Sequence, residues 1–258
     1  MMETLAGLGF QQSYTYFTWR NTKDELAEFF TDISQRTSAY MRPNFFVNTH
    51  DILTQYLQFG GVPAYKIRAA LAATASPSWG VYTGYELLEN VARPGSEENI
   101  DNEKYEFKFR DWDSYEPGGA NEGKSIAPYL GRLNEIRAAH PALRQLRNLK
   151  VHWSDDDAIL VYSKHLASRF ISGGNGGLDD TIIVIANVDP HSVRETITHL
   201  DVASLGLPDS FEVVDLITGQ RYPWGRDTYV RLDAFAEPVH VLHVVPTRPP
   251  ATLTRKAR

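Results

Sequence analysis

The sequence predicts two kinds of fold in succession: an α/β part over residues 1–146 and an antiparallel β-sandwich over residues 147–246. In the first part, runs of β-forming residues alternate with helical patterns, which is typical of a parallel sheet. In the second part, short apolar segments follow one another between turn residues, which is typical of a sandwich or barrel. Residues 247–258 contain Pro249-Pro250 and a basic end, and we expect them to form a disordered tail.

The α/β part is expected to hold three strands and three helices. The strands cover residues 11–17, 44–47 and 79–85, which are rich in Phe, Tyr, Val and Trp. Thr22 and Glu25 have the spacing of a capping box and open the first helix. The other two helices cover residues 64–75 and 126–139. Residues 90–123 are polar and too long for a simple connection, and such segments in compact domains are usually functional or disordered.

The second part is expected to consist of seven short strands, at residues 151–153, 158–163, 181–188, 193–198, 211–215, 229–232 and 239–245. Clusters of Asp, Gly, Asn and Pro separate them. The predicted turns are at residues 155–157, 173–177, 189–190, 218–219 and 223–225.

The composition excludes several classes of protein. The chain has 258 residues, a net charge of −6 and no cysteine. A net negative charge does not favour binding to nucleic acid or to an anionic membrane. Without cysteine there is no disulfide, thiolate metal site or thiol nucleophile. No apolar run approaches the length of a membrane span, and no signal peptide is visible, so we expect a cytoplasmic protein with no membrane partner.

The most informative segment is residues 46–51, where a predicted strand runs into a polar cluster that ends in a carboxylate. Phe46-Val47 ends the strand, and Asn48-Thr49-His50-Asp51 follows it. Barrels of β/α units build their active sites from acids at the C-terminal ends of buried strands. From these residues alone, Asp51 equally fits a cap on the next helix.

Several blocks of the sequence together carry a resemblance to one enzyme family. They cover residues 9–21, 41–53, 79–87, 95–98, 101–106 and 217–220. Each block is short, but the combination resembles the α-1,4-glucan:maltose-1-phosphate maltosyltransferases of the α-amylase superfamily over roughly residues 3–246. The resemblance implies that residues 1–146 are the closing part of a (β/α)₈ TIM barrel, with three of its strands, and that the sandwich follows it.

The family resemblance also implies an activity. Its members are homodimers that transfer a maltosyl unit from maltose 1-phosphate to the non-reducing end of an α-1,4-glucan. The transfer releases phosphate and retains the anomeric configuration. No cofactor is implied.

Four residues match the family's sugar-contacting positions. By resemblance, Asp51 is the carboxylate that hydrogen-bonds the hydroxyls of the reacting sugar and strengthens its hold in the transition state. His50 matches the neighbouring histidine that touches the same sugar. Lys104 and Tyr105, in the long polar segment, match residues that contact the maltosyl unit. Without the resemblance, His50 fits a structural histidine, and Lys104 and Tyr105 fit a solvated loop.

The sequence also departs from the family. Retaining glycosyl transfer uses a carboxylate nucleophile and a carboxylic general acid about 5 Å apart, and no segment here matches the family's versions of either. Residues 233–238 superficially resemble the acid-bearing segment, but they lie between predicted strands and are expected to form a turn. We therefore expect the C-terminal part of a longer enzyme, inactive by itself.

Two alternatives stay open. The chain could belong to an α-amylase-like hydrolase or another transglycosylase of the superfamily, or it could be a non-catalytic glucan-binding protein. No metal site is predicted. His240 and His243 are three residues apart on a predicted strand and therefore point to opposite faces.

Overall fold

The computed structural model describes residues 1–103, 106–172 and 177–246. The predicted tail at 247–258, most of the turn predicted at 173–177, and the site residues Lys104 and Tyr105 lie outside the described residues. Within the described residues, five α-helices and eleven strands are assigned. In chain order they are α1 Met2–Gly7, β1 Gln12–Tyr14, α2 Lys23–Ser34, β2 Arg42–Phe46, α3 Gln55–Phe59, α4 Gly61–Ala75, β3 Ser78–Gly80, α5 Ala127–Ala139, β4 Leu149–Ser154, β5 Ile159–Leu166, β6 Asp180–Asn187, β7 Val193–His199, β8 Ser210–Asp215, β9 Arg221–Gly225, β10 Asp227–Asp233 and β11 Val239–Val244.

The first part of the chain forms a small parallel sheet in the order β1-β2-β3. Tyr14 pairs with Asn44, and Asn44 pairs with Ser78. Because all three strands run the same way, their C-terminal ends lie at one edge of the sheet. β1 and β3 are shorter than predicted, since the chain leaves the sheet after Tyr14 for a 3₁₀ turn at Tyr16–Trp19, and after Gly80 for a series of turns.

Local sequence explains the helices that cover this sheet. The predicted capping box of α2 is confirmed: the Thr22 side chain accepts from the Glu25 N–H, and the Glu25 carboxylate accepts from the Thr22 N–H. The apolar face of α2 buries Phe30 against Phe17 and Phe45. α4 is buried along most of its length, as expected for a helix with apolar residues on all sides.

The second part is one antiparallel sheet of eight strands in the order β10-β7-β4-β5-β6-β11-β8-β9. The two ends of this order, β9 and β10, are separated in sequence by Arg226 alone. The sheet must therefore curl until its two edges approach each other. Its interior is apolar, with Ile159, Ile183 and Trp224 among the buried residues. The antiparallel, β-rich character predicted for this part is confirmed, in the form of one curled sheet.

The prediction of a turn at 223–225 is wrong. Those residues lie in β9, where Pro223 pairs with Glu212 and Trp224 pairs with Phe211 of β8. Proline is tolerated here because β9 is at the edge of the sheet, where a missing N–H interrupts no second ladder. The turn predicted at 233–238 is confirmed: Asp233 accepts from the N–H groups of Phe235 and Ala236, and β11 begins at Val239.

One hydrophobic core crosses the predicted border near residue 146. Alternate residues of β5 and β6, such as Leu160 and Val184, face away from the interior of the curled sheet and pack into the same cluster as α4. The buried Lys164 of β5 donates to the carbonyls of Ala75 and Leu143, across that border. The division into parts 1–146 and 147–246 stays a prediction.

Between β3 and α5, the described residues form turns with one 3₁₀ segment, Trp112–Tyr115, and an isolated bridge from Ala92 to Asn99. In the described part of the chain, none of the helices combines the length and the apolar character needed to cross a membrane.

Candidate functional site

A cleft of about 610 Å³ opens at the C-terminal ends of β1, β2 and β3. Each strand contributes the residues that follow it. The described lining of the cleft combines aromatic rings with the polar residues that follow β2. It includes Tyr14, Tyr16, Trp19, Phe46, Thr49, His50, Asp51 and Tyr82. The carboxyl edge of a parallel sheet is the usual place for ligands in α/β folds.

A tight turn presents His50 and Asp51 to this cleft. The hydroxyl of Thr49 accepts from the backbone N–H of Asp51 at 3.2 Å and from that of Ile52 at 3.0 Å. The N–H of Thr49 donates to the carbonyl of Ile52 at 3.1 Å. These three bonds fix the backbone on both sides of the carboxylate, so Asp51 is held as part of a closed turn.

The polar segment between β3 and α5 braces the turn from outside. The amide of Asn99 donates to the carbonyls of Thr49 at 2.9 Å and His50 at 3.2 Å. Glu97 accepts from the indole N–H of Trp19 at 2.9 Å and from the N–H of Gln55 at 3.0 Å. The segment therefore helps to position Trp19 and the turn at Asp51, which both line the cleft.

His50 and Asp51 lie side by side. The His50 Nε2 is 3.4 Å from Asp51 Oδ2, and both side chains are partly exposed, at 45% and 35%. The ring of Tyr82 stands edge-on to the imidazole, with centroids 6.3 Å apart. The buried amide of Asn48 accepts from the Tyr82 N–H at 3.0 Å, which joins the exits of β2 and β3. A carboxylate acceptor and an imidazole donor thus share one edge of the cleft.

Aromatic rings form another part of the lining. Tyr14 contacts Phe46, and Tyr16 contacts Trp19, with centroids 4.7 Å and 6.0 Å apart. Tyr14, Tyr16 and Trp19 remain exposed. Gly80 makes room for the ring of Phe46, because a Cβ at position 80 would come within 2.3 Å of Phe46 Cε1. Exposed rings beside a carboxylate suit a sugar, which has apolar faces and polar edges.

A charged cluster supports Tyr82. Its hydroxyl donates to Glu103, which also accepts from Arg110 at 3.2 Å. Arg110 pairs with Glu89 as well, at 2.9 Å, and Lys108 pairs with Glu89 at 3.0 Å. Burial would raise the pKa of Glu103, but hydrogen bonds from Lys108 and Arg110 outweigh it and lower that pKa. Glu103, the residue directly before Lys104, is therefore an ionised carboxylate held by Tyr82 and Arg110.

The structure brings together two of the four predicted site residues, Asp51 and His50; the other two are outside the described part. Among the described residues that line the cleft, Asp51 is the one carboxylate. The arrangement can accept hydrogen bonds from sugar hydroxyls and stack on a ring. It does not by itself supply the pair of carboxylates that retaining transfer requires.

Sequence reasoning missed Tyr82 and Asn99 as part of this site. Tyr82 lies in a segment predicted as a regular strand, and Asn99 acts through backbone carbonyls. The sequence feature that could have indicated Asn99 is its place in the long polar segment at 90–123, since such segments are usually functional or disordered.

The fold is that of α-amylases. A Geobacillus thermoleovorans α-amylase complexed with acarbose aligns with a TM-score of 0.61 at 13% identity, over 95% of this chain and 51% of that one. An Anoxybacillus α-amylase aligns with a TM-score of 0.60 at 14% identity, over 96% and 50%. The chain therefore has the fold of about half of an α-amylase.

Sequence comparison narrows this class. The family described as "GLGE, C-terminal" matches residues 151–244. An α-1,4-glucan:maltose-1-phosphate maltosyltransferase of Streptomyces coelicolor is 54% identical over 95% of this chain and 35% of its own length. That of Mycolicibacterium smegmatis is 48% identical over 93% and 33%. The chain spans about a third of the length of these curated relatives. Over most of its length the chain is therefore similar to α-1,4-glucan:maltose-1-phosphate maltosyltransferases, and its residues 151–244 match the C-terminal family model.

Proposed function

We propose that this chain is the C-terminal part of a retaining glycosyltransferase that moves a maltosyl unit from maltose 1-phosphate to the non-reducing end of an α-1,4-glucan. The observation that carries the proposal is the paired Asp51 and His50 at the exit of β2, in an aromatic cleft, within a chain 54% identical to a maltosyltransferase. Retention takes two displacements: an enzyme carboxylate replaces phosphate on the sugar, and the acceptor hydroxyl, giving its proton to the second carboxylate, then replaces the first.

In this proposal Asp51 accepts hydrogen bonds from the hydroxyls of the reacting sugar. As positive charge develops on the ring, those hydroxyls become better donors, so their bonds to the carboxylate strengthen. The Thr49 turn supports this role, because a carboxylate fixed in advance needs little reorganisation during the reaction. The nucleophile and the general acid come from other segments of the longer enzyme, and this chain alone is inactive.

His50, Lys104 and Tyr105 are proposed to bind the same maltosyl unit. The partial exposure of His50 leaves its ring accessible to a hydroxyl, next to the carboxylate. Lys104 and Tyr105 follow directly on Glu103, which is anchored by Tyr82 and Arg110 at the border of the cleft. That anchor supports a position near the sugar for the two residues.

The wider organisation is part of the same proposal. The three parallel strands with their helices are interpreted as the closing part of a (β/α)₈ TIM barrel over residues 1–146, followed by the β-rich domain at 147–246. The complete enzyme is proposed to be a cytoplasmic homodimer that binds neither nucleic acid nor membranes.

The test uses the complete enzyme with Asp51→Asn and, as a matched control, Asp233→Asn at the end of β10. Asp51→Asn keeps the size of the side chain and removes the charge, so we expect phosphate release to fall at least about 100-fold, the scale of losing one transition-state contact. The control should retain normal turnover. Near-normal turnover in a folded Asp51→Asn variant would remove Asp51 from the site.

Two measurements separate the alternatives. With maltose 1-phosphate and a maltooligosaccharide, transfer releases phosphate and lengthens the glucan, whereas an α-amylase-like hydrolase would release reducing sugar from the glucan alone. The intact mass of the native gene product decides the third possibility. A mass of 29.1 kDa, that of this chain, would favour a non-catalytic glucan-binding protein.

A further inference from the structure

Three side chains far apart in sequence converge where α5 meets the curled sheet, and none of them is among the described residues that line the cleft. His140 ends α5, Asp180 begins β6, and His243 lies near the end of β11. One potential ligand atom from each lies within 4.8 Å of the other two. The His140 Nδ1 is 2.9 Å from Asp180 Oδ1, and the His243 Nε2 is 3.7 Å from the same oxygen.

We propose that His140, Asp180 and His243 bind a divalent metal ion of the zinc class. Two imidazoles and one carboxylate form a donor set that zinc uses in sites with an open fourth position. Tetrahedral coordination at about 2.1 Å places neighbouring ligand atoms roughly 3.4 Å apart. The two separations at Asp180 bracket that distance, so small side-chain rotations suffice.

The carboxylate is held in the orientation that a ligand needs. Asp180 is buried, and its second oxygen accepts from the backbone N–H of Ala142 at 2.8 Å. This leaves Oδ1 directed at the two histidines. Such outer hydrogen bonds orient metal ligands and are part of the design of metal sites.

The electrostatics favour a cation. Within residues 1–103, 106–172 and 177–246, the ion pairs of Asp180 are to His140 and His243 and to no lysine or arginine. A buried carboxylate requires a positive partner or a metal. The imidazole rings lie 4.6 Å apart between centroids and are partly accessible to solvent.

The ion would join α5 to the curled sheet. His140 belongs to the α/β part, whereas Asp180 and His243 belong to two adjacent strands of the β-rich part. A metal that binds only the folded arrangement stabilises it, because the unfolded chain does not hold these three groups together.

The same strand offers a matched control. His240 lies three residues before His243. Its Nδ1 is hydrogen-bonded to Asp215 Oδ2 at 2.9 Å. It is buried to a similar degree, and no second imidazole completes a cluster there among the described residues. His240→Gln removes a His–Asp hydrogen bond from one face of β11, and His243→Gln removes a longer His–Asp contact, at 3.7 Å, from the other face. Only the second substitution removes a proposed metal ligand.

The experiment uses the full chain without a histidine tag, freed of metal by dialysis against a chelator. Zn²⁺ is titrated by calorimetry, Co²⁺ by its visible absorption, and folding is checked by circular dichroism. We expect one ion per chain, affinity at least about tenfold weaker in His243→Gln, and unchanged affinity in His240→Gln. The thermal midpoint of the parent should rise with Zn²⁺.

Absence of saturable one-to-one binding in the parent would overturn the proposal, since the cluster would then be an ion-paired structural network. Equal losses in both variants would also overturn it. If His243→Gln does not fold, His140→Gln at the C-terminal end of α5 replaces it, with the same criteria.

Discussion

The buried guanidinium of Arg68 holds the 3₁₀ turn at Tyr16–Trp19 in place, and its removal is expected to loosen the cleft. Arg68 lies on α4, is fully buried, and donates to the carbonyls of Phe17 and, at 2.6 Å, Arg20. Its guanidinium carbon lies 3.8 Å from the centre of the Phe17 ring. Trp19, between these two carbonyls in sequence, lines the cleft.

The expected loss in the free energy of unfolding follows from the contacts that Arg68→Met removes. The carbonyl of Phe17 keeps a bond from the Arg20 N–H at 3.0 Å, so the Arg20 carbonyl is the one that loses its partner. The Arg20 carbonyl is only partly buried, so losing its partner costs about 1 kcal/mol, the low end of the range for a buried acceptor. The lost contact with the ring adds about 1–2 kcal/mol. Burial lowers the pKa of Arg68 to about 10, which shows that its charge is unfavourable there, and methionine relieves that cost. We expect a net loss of about 2 kcal/mol in the free energy of unfolding.

Urea denaturation measures this loss, and hydrogen–deuterium exchange of the peptide at residues 15–21 measures the local loosening. A local destabilisation of about 2 kcal/mol corresponds to roughly 30-fold faster exchange. Arg137→Met is the control, because Arg137 donates to the carbonyls of Ser76 and Pro77 at the opposite end of the sheet. It should destabilise the chain without accelerating exchange at 15–21. Unchanged exchange at 15–21 in Arg68→Met would refute the reasoning.

Three further perturbations test other parts of the structure. Burial lowers the pKa of His152 to about 4 from an ordinary 6.5, so the unfolded state takes up the proton first on acidification. The free energy of unfolding should fall by about 2 kcal/mol from pH 7 to pH 5 through this group, and His152→Asn should remove that part of the slope in urea denaturation. Gly80→Ala should displace the ring of Phe46 and cost about 1–3 kcal/mol in thermal unfolding, whereas a neutral substitution would contradict the close approach. Thr49→Val should release the turn at Asp51 and weaken maltooligosaccharide binding by the complete enzyme about tenfold, with Thr49→Ser as the control that keeps the hydroxyl.

Local chemistry explains what could be predicted from the sequence. The capping box at Thr22 depends on residues three apart, and the strand that leads to Asp51 depends on a contiguous apolar run, so both are visible in the sequence. The edge strand β9 was missed because Pro223 argues against a strand unless its position at the sheet edge is known. Edge position is a property of the assembled sheet.

The candidate site also combines residues that a local pattern predicts with contacts that only the folded chain creates. Asp51 and His50 follow from one short segment and a family resemblance. The support from Asn99 depends on a contact 50 residues away in sequence, which no local pattern contains. The cluster of His140, Asp180 and His243 escaped prediction for the same reason: residue spacing on one strand could exclude His240 as a partner of His243, but could not reveal the partners that other elements supply.

The shared core has a consequence for how this protein can be divided. β5 and β6 are covered on both faces, by the interior of the curled sheet on one side and by α4 and its neighbours on the other. An excised β-rich piece would present Leu160, Tyr162 and Val184 to water, and the severed α/β piece would present the matching face of α4. Exposed apolar surface of that kind promotes association. The border visible in the sequence therefore crosses a shared hydrophobic core, and each part covers an apolar face of the other.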